Sequence, residues 1–300
     1  MRLTVAVCTW NRCEVLRQTL EQMTRLAIPA GTEWELLVVN NNCTDETDEV
    51  IAAFMSRLPI RRLFEPMPGK CNALNLALRE ARGEYILWTD DDVFLDENWL
   101  AAYVKAFHRW PGAAFFGGVV EPWFMVPPPD WIQRVLPRIE NVYSTRNLGS
   151  QPFRFKGGDC VPYGLNWAVK CAIQRRYKYD PRVGPQPGSN IRGDETLLVW
   201  NLIADGHEGW WVPDAIVRHR IPPEHMQIQY LRRYFWGYGE FIGTIEPTWN
   251  GPTLFGKPRW LWRQALIAEA KYRVRRLLSP AEVWIQDLIT ASEAWGRLFP

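Results

Sequence analysis

The sequence predicts an α/β fold built on a mainly parallel sheet flanked by helices. Two observations carry the expectation. Short apolar, β-branched runs alternate with helical patterns through the first half of the chain, and polar clusters follow three of those runs. Leu3–Cys8 is the first strand. Asn11–Glu14 then reads as a capping-box-like helix start with Asn11 as N-cap, and that helix runs to about Leu26. Glu35–Val39 is the second strand, followed by the polar turn Asn40–Asp45 and a helix through Val50, Ile51 and Phe54. A third strand lies near Ile60–Phe64. After the loop Glu65–Lys70 comes a helix carrying Ala73, Leu74, Leu76, Ala77 and Leu78. Gly83 closes that unit, and Tyr85–Thr89 is the fourth strand.

In parallel sheets ligands sit beyond the carboxyl ends of the strands. Thr9–Arg12, Asn40–Asp45 and Asp90–Asp92 all fall there, so three polar clusters converge on one rim. From Pro122 the character changes: Pro127–Pro129, Trp123, Trp131 and Trp167 mark a loop-rich, aromatic region. It ends in a helix-like stretch, Asp194–Ala204, and a strand-like Ile216–Val217. In the tail, Arg259 to Leu278 sets Leu266, Ala270, Val274 and Leu278 at four-residue intervals, with Ile267 and Leu277 beside them and arginines on the other face. Such a stripe, close to Trp260 and Trp262, either packs on the domain or lies on a membrane surface. Three regions follow: 1–120, 121–230 and a helical 231–300.

With 47% apolar and 23% charged residues in 300, the chain has the composition of an ordinary globular protein. A net charge of +2 gives no reason to expect nucleic acid as a partner. Seventeen tryptophans are more than a core of this size needs, which suits either ligand platforms or a Trp-rich core. Cys8, Cys13, Cys43, Cys71, Cys160 and Cys171 are scattered without a CxxC pair. They read as buried free thiols in a reducing compartment, not as a zinc site or disulfide framework. The chain opens on a strand without signal-peptide architecture and has no apolar run long enough for a bilayer, so a cytoplasmic location is expected.

Asp90-Asp91-Asp92 is the strongest chemical signal. Three carboxylates at the mouth of a buried strand repel one another and call for a cation, and oxygen ligands of this kind suit Mg²⁺ or Mn²⁺ alongside substrate phosphates. A solvated acidic turn is the plain alternative. Lys70, after Gly69 at a helix start, could meet a diphosphate or be an exposed turn lysine.

Six elements in order, Val7–Arg12, Val38–Asp45, Pro68–Asn75, Asp90–Asp92, Gly193–Leu198 and Val217–His219, resemble the family 2 glycosyltransferases of GT-A fold. The resemblance implies a Rossmann-like nucleotide-sugar half in 1–120, a merged acceptor-binding and catalytic half in 121–230, and a metal-dependent, inverting sugar transfer. It implies a donor site made of Thr9, Asn11, Arg12, Asn40, Asn42, Lys70, Asn75, Asp90 and Asp91, and a metal held by Asp92 with His219. His219 could equally be a hydrogen-bonded structural residue, and Asn75 a polar residue on a helix surface. The family usually carries Asp where this chain has Asn40. An amide can accept from uracil N3–H while donating to O4, which favours a UDP-sugar.

The catalytic base is expected from Asp194 or Glu195. The family order is Glu then Asp and here it is reversed, so position favours Glu195 and residue type Asp194; Glu195 is the preferred of the two. An acidic first helical turn is the alternative for both. Trp123, Tyr163 and Trp167 fall where the family builds its acceptor cleft, and core packing would explain each as well. A carbohydrate or lipid-linked acceptor is expected, with a place in glycan, exopolysaccharide or cell-envelope synthesis. The competing readings are a sugar-phosphate nucleotidyltransferase, opposed by the lack of a Gly-rich basic loop after the first strand, and a non-catalytic nucleotide- or sugar-binding module.

Overall fold

The computed structural model describes all residues except 158–160, 190, 247–248 and 300. They cluster into two compact units. The first comprises Met1–Trp123, Ser144–Pro181 and Asp194–Arg220; the second comprises Phe124–Tyr143, Arg182–Gly193 and Ile221–Pro300.

In the first unit β1 (Arg2–Thr9), α1 (Cys13–Met23), β2 (Glu33–Asn40), α2 (Thr47–Phe54), β3 (Ile60–Phe64), α3 (Lys70–Glu80) and β4 (Tyr85–Asp90) follow the predicted alternation. β1 pairs in parallel with β2 and β4, and β2 with β3. The alternation has a simple cause: runs such as Leu36–Val39 are buried on both faces, and only β-branched and aliphatic residues tolerate that in a strand. The sheet continues through β5 (Val93–Leu95), α4 (Trp99–Arg109) and β6 (Phe115–Phe124), and the chain then enters the second unit through α5 (Asp130–Ile139). It returns with β7 (Trp167–Lys170), the short α6 (Cys171–Gln174), α7 (Asp194–Ala204) and β8 (Gly209–Ile221). The strand order is β3-β2-β1-β4-β7-β6-β8-β5, with β7 antiparallel to both β4 and β6, and β5 antiparallel to β8.

A buried polar knot ties this half of the sheet together. Asn166, fully buried, accepts from Trp99 Nε1 at 2.8 Å and Tyr103 OH at 2.9 Å, and donates to Val119 O at 2.7 Å and Ala215 O at 2.9 Å. Both ends of its amide are therefore satisfied, which is what allows it at the centre of an apolar layer.

The second unit is helical: α8 (Ile228–Ile245), the hairpin β9 (Thr253–Leu254) and β10 (Lys257–Pro258), α9 (Arg259–Leu278) and α10 (Ala281–Leu298). α8 and α10 cross at glycines. A Cβ on Gly239 would sit 2.2 Å from Glu293 O, and one on Gly296 would sit 2.0 Å from Trp236 O. The backbones approach so closely that no other residue fits at either position.

Several expectations are corrected. The first helix ends at Met23, short of Leu26, and its N-cap is Arg12, with no side-chain capping bond; Asn11 stands outside the helix at φ 50°. Ile216–Val217 is only the middle of a strand of 13 residues. The aromatic region from Pro122 holds strand and helix as well as loop. Of the cysteines, only Cys71 and Cys171 are buried; Cys8, Cys13 and Cys43 are partly exposed, and Cys160 lies outside the described residues. Most strikingly placed is the tail stripe: α9 packs through Leu261, Ala265, Ala268 and Tyr272, and Leu266, Val274, Leu277 and Leu278 face solvent.

Candidate active site

The site is built in the first unit, where β1, β2 and β4 end. Thr9 is the last residue of β1, and its Oγ1 donates to Asp91 Oδ2 at 2.6 Å; Thr19 Oγ1 on α1 donates to Asp91 O, also at 2.6 Å. Arg12 reaches back over the same turn. Its Nη1 lies 3.0 Å from Asp91 Oδ1 and 2.8 Å from Asp92 Oδ2. Asp91 is thus buried and tied inward, and acts as the anchor of the turn between β4 and β5. Burial pushes its carboxyl up to about 6 in spite of Arg12 and the Thr9 hydroxyl. For Asp92 burial works in the same direction, but His219, Arg12 and Lys70 outweigh it and hold the group well below the usual carboxylate range.

His219 comes from β8, which lies antiparallel to β5 in register Val93 with His219. Its Nε2 is 3.7 Å from Asp92 Oδ1. Among the described residues no three metal-binding side chains are already gathered. A carboxylate and an imidazole facing one another could supply two ligands to Mn²⁺ or Mg²⁺, with phosphate oxygens and water as the others. Asp92 and His219 are the residues that would hold such an ion.

Lys70 opens α3 behind Gly69, whose φ of 128° is left-handed territory that glycine adopts without strain. Its Nζ is 2.9 Å from Asp90 Oδ1. Burial would lower the ammonium, but the charges of Asp90, Asp194 and Glu195 raise it well above its ordinary value. One lysine therefore feels both the rim acids and the acids at the start of α7.

Those two differ sharply. Asp194 is 4% exposed, and its Oδ2 has no partner among the described residues. Burial first, and then the neighbouring Glu195, raise its carboxyl well above its ordinary value. Glu195 is lowered: burial opposes ionisation, and Lys70 together with backbone N–H groups, that of Gly164 at 3.3 Å among them, overcomes it. The ionised carboxylate is Glu195.

Other predicted residues are engaged within the chain. Asn40 Nδ2 donates to Asp48 Oδ1 at 2.8 Å, and its Oδ1 accepts from Cys43 N at 2.8 Å. Asn11 Oδ1 accepts from Thr44 N at 2.7 Å, which fastens the ends of β1 and β2 to each other. Asn42 is exposed at φ 59°. Asn75 clamps the backbone of Tyr179 in both directions, at 2.8 and 3.0 Å, so it holds a loop onto α3 as a matter of structure. Trp123 packs on Phe94 with ring centroids 4.5 Å apart, and the Arg146 guanidinium lies 4.2 Å from the Tyr163 ring centroid. Trp167 is corrected outright: at 1% exposure in β7 it is core and offers no face to a ligand. Gly164 and Asp48 were not anticipated, because each meets its partner through the fold and no local spacing announces it.

Glycosyl transferase family 2 matches residues 4–123 of this chain. The chain is 27% identical over 113 residues to poly(ribitol-phosphate) beta-N-acetylglucosaminyltransferase TarS of Staphylococcus aureus (strain Mu50), covering 36% of this chain and 20% of TarS. It therefore matches about a fifth of that relative's length. It is 23% identical over 251 residues to succinoglycan biosynthesis protein ExoM of Rhizobium meliloti (strain 1021), covering 82% of this chain and 75% of ExoM. In fold it resembles mannosyltransferase PcManGT from Pyrobaculum calidifontis, solved with GDP-Man and Mn²⁺, at a TM-score of 0.65 and 19% identity over 99% of this chain and 87% of that one. TarS 1–349 with UDP-GlcNAc gives 0.54 at 16% identity, covering 99% and 90%. The architecture is the GT-A one that the sequence implies. The rim acids, the β1 turn and β4 all lie inside the stretch that matches glycosyl transferase family 2.

Proposed function

We propose that the chain is an inverting glycosyltransferase that moves a sugar from a nucleoside-diphosphate donor, preferably a UDP-sugar, to an acceptor hydroxyl. The observation that carries the reading is the position of Lys70, whose charge is felt both by Asp90 at the rim and by the ionised Glu195. A diphosphate-binding cation and a general base thus belong to one cluster. The acceptor oxygen attacks the anomeric carbon, the bond from that carbon to the diphosphate oxygen breaks, and Glu195 takes the acceptor proton. An α-linked donor gives a β-glycoside. A divalent cation on Asp92 and His219 would neutralise the departing diphosphate. Lys70 supplies charge on the same side, and a protonated Asp194 would keep a second negative charge away from the base.

A uracil donor is supported by Asn40. Its internal bonds leave one amide hydrogen and one carbonyl lone pair for a base edge. The UDP-GlcNAc bound in TarS supports the same choice. Trp123 and Tyr163 are proposed to line the acceptor side of the 121–230 half, for a carbohydrate or lipid-linked acceptor. The relatives support a role in cell-envelope or exopolysaccharide synthesis. The proposal includes a cytoplasmic enzyme stationed at the inner face of the membrane; no helix among the described residues is long and apolar enough to cross one.

The test is nucleotide release from UDP-, GDP-, dTDP- and CMP-sugars with Mn²⁺, Mg²⁺ or EDTA. Release from one UDP-sugar, lost with EDTA, is the expected result. Binding of none of the four donors by calorimetry, with no release, would sink the reading.

A further inference from the structure

We infer that the outward face of α9 is an in-plane docking surface for an anionic lipid bilayer, which deepens the membrane station proposed above and rests on it. The face is defined by what it excludes. Leu261, Ala265, Ala268 and Tyr272 form the side of α9 that packs within the second unit. At about 100° per residue, Leu266, Ala270, Val274 and Leu277 fall on the opposite side, with Ile267 and Leu278 at its edge. Leu277 is 85% and Leu278 79% exposed. Five large aliphatic side chains in water on one helix face form a patch that calls for a partner.

The row is extended at the N-terminal end of α9. The β9–β10 hairpin carries Phe255 at its tip, 83% exposed and at φ 49°, with its ring 5.8 Å from that of Trp262. Trp262 Nε1 donates to Leu254 O at 2.9 Å, which holds the hairpin against the helix. Trp249 and Trp260 lie together beside it, with centroids 6.3 Å apart, and both are exposed. Exposed apolar side chains thus recur from one end of the 20-residue helix to the other, roughly 30 Å, interrupted by Arg259 and Arg263 and with aromatic side chains at one end. Indole rings favour the headgroup level of a bilayer.

Charge selects the occupant. α9 carries Arg259, Arg263, Lys271, Arg273, Arg275 and Arg276 against Glu269 as its one acid. Lys271 and Arg275 flank the apolar row on one side and Arg273 on the other, while Arg259 and Arg263 stand in line with it. Glu269 and Asp287 engage Arg273 and Arg275. A second copy laid on this face would set basic rows against basic rows, which is a costly arrangement. A lipid surface accepts the aliphatic row while the long basic side chains reach up to anionic headgroups.

The experiment is flotation of the full chain with vesicles of phosphatidylcholine, alone or with about one third phosphatidylglycerol. Wild-type protein should float with the anionic vesicles and be released in part by high salt. The double variant Leu277→Glu/Leu278→Glu should partition about tenfold more weakly or worse. Because both residues are exposed, it should keep its circular-dichroism melt and its rate of nucleotide release. Arg263→Glu/Lys271→Glu should lose the preference for anionic over neutral vesicles. Absence of flotation by wild type, or equal flotation of wild type and both variants, overturns the inference. So does a concentration-dependent dimer in sedimentation that the leucine variant abolishes, which would assign the face to a second copy. Flotation as stated, with none of the four donors bound by calorimetry and no nucleotide released by any of the three proteins, would sink the transferase reading and leave the bilayer inference standing.

Discussion

Two groups of neighbouring acids lie in the first unit, and the chain treats them differently. At the rim, Asp90, Asp91 and Asp92 are met by Lys70, Arg12 and His219, so nearly every carboxylate oxygen is already committed to a cation or hydroxyl. At the start of α7, Asp194 and Glu195 have each other, the charge of Lys70 and backbone N–H groups. The first arrangement suits holding charge in place. The second moves the two carboxyls in opposite directions, Asp194 up and Glu195 down, which would suit Glu195 as the proposed proton acceptor. Sequence position alone makes the members of each group look equivalent; burial and the nearest cation separate them.

The sharpest way to break this comparison is to neutralise each member of the α7 pair in turn. Glu195→Gln should lower transfer by about a thousandfold with donor affinity within a fewfold of wild type, whereas Asp194→Asn, which mimics the protonated form, should cost less than about tenfold. Equal losses in stopped kinetic assays would remove the distinction. The pH profile follows with its sign. Because Glu195 is lowered in the folded protein, its base form persists as pH falls through the usual carboxylate range, so kcat/KM should stay level from neutral pH to below that range in both wild type and Asp194→Asn. A loss centred near neutrality would place the base on the raised group instead.

A smaller effect tests the rim. Asp92→Ala should lower metal-stimulated nucleotide release by about a hundredfold, and EDTA should then remove little more. The smallest effect concerns Arg12, which bridges Asp91 and Asp92. Arg12→Ala should cost about 1–2 kcal/mol in urea unfolding, a figure discounted because half of its side chain is in water. No change in stability would show that Asp91 is held by Thr9 alone.

Much of the first unit could be read directly. Ile60–Phe64 and Asp194–Ala204 are found where the pattern puts them. β8 was seen only at Ile216–Val217, since Pro213 and Asp214 interrupt its apolar pattern. Most of α8 falls in the region 231–300 expected to be helical, in spite of Gly237, Gly239 and Gly243. Those glycines look like helix breakers, and at Gly239 the true reason is the backbone of α10 passing within van der Waals reach. At the site the acid types and their order were legible. That Asp91 turns inward, that Trp167 is core and that Asn40 and Asn75 are bonded at both ends were not, because each depends on partners far away in sequence. The tail's apolar stripe was legible, and of the two placements left open for it the exposed one is found.

The knot around Asn166 has a consequence for heat. Its side chain joins α4, β6 and β8, and its own backbone N–H reaches Tyr163 O at 3.0 Å, next to the Gly164 that donates to Glu195. The peptide whose N–H meets Glu195 is therefore fastened to the middle of the sheet. Inactivation and loss of the sheet should therefore share one midpoint when activity and circular dichroism are followed through the same thermal scan.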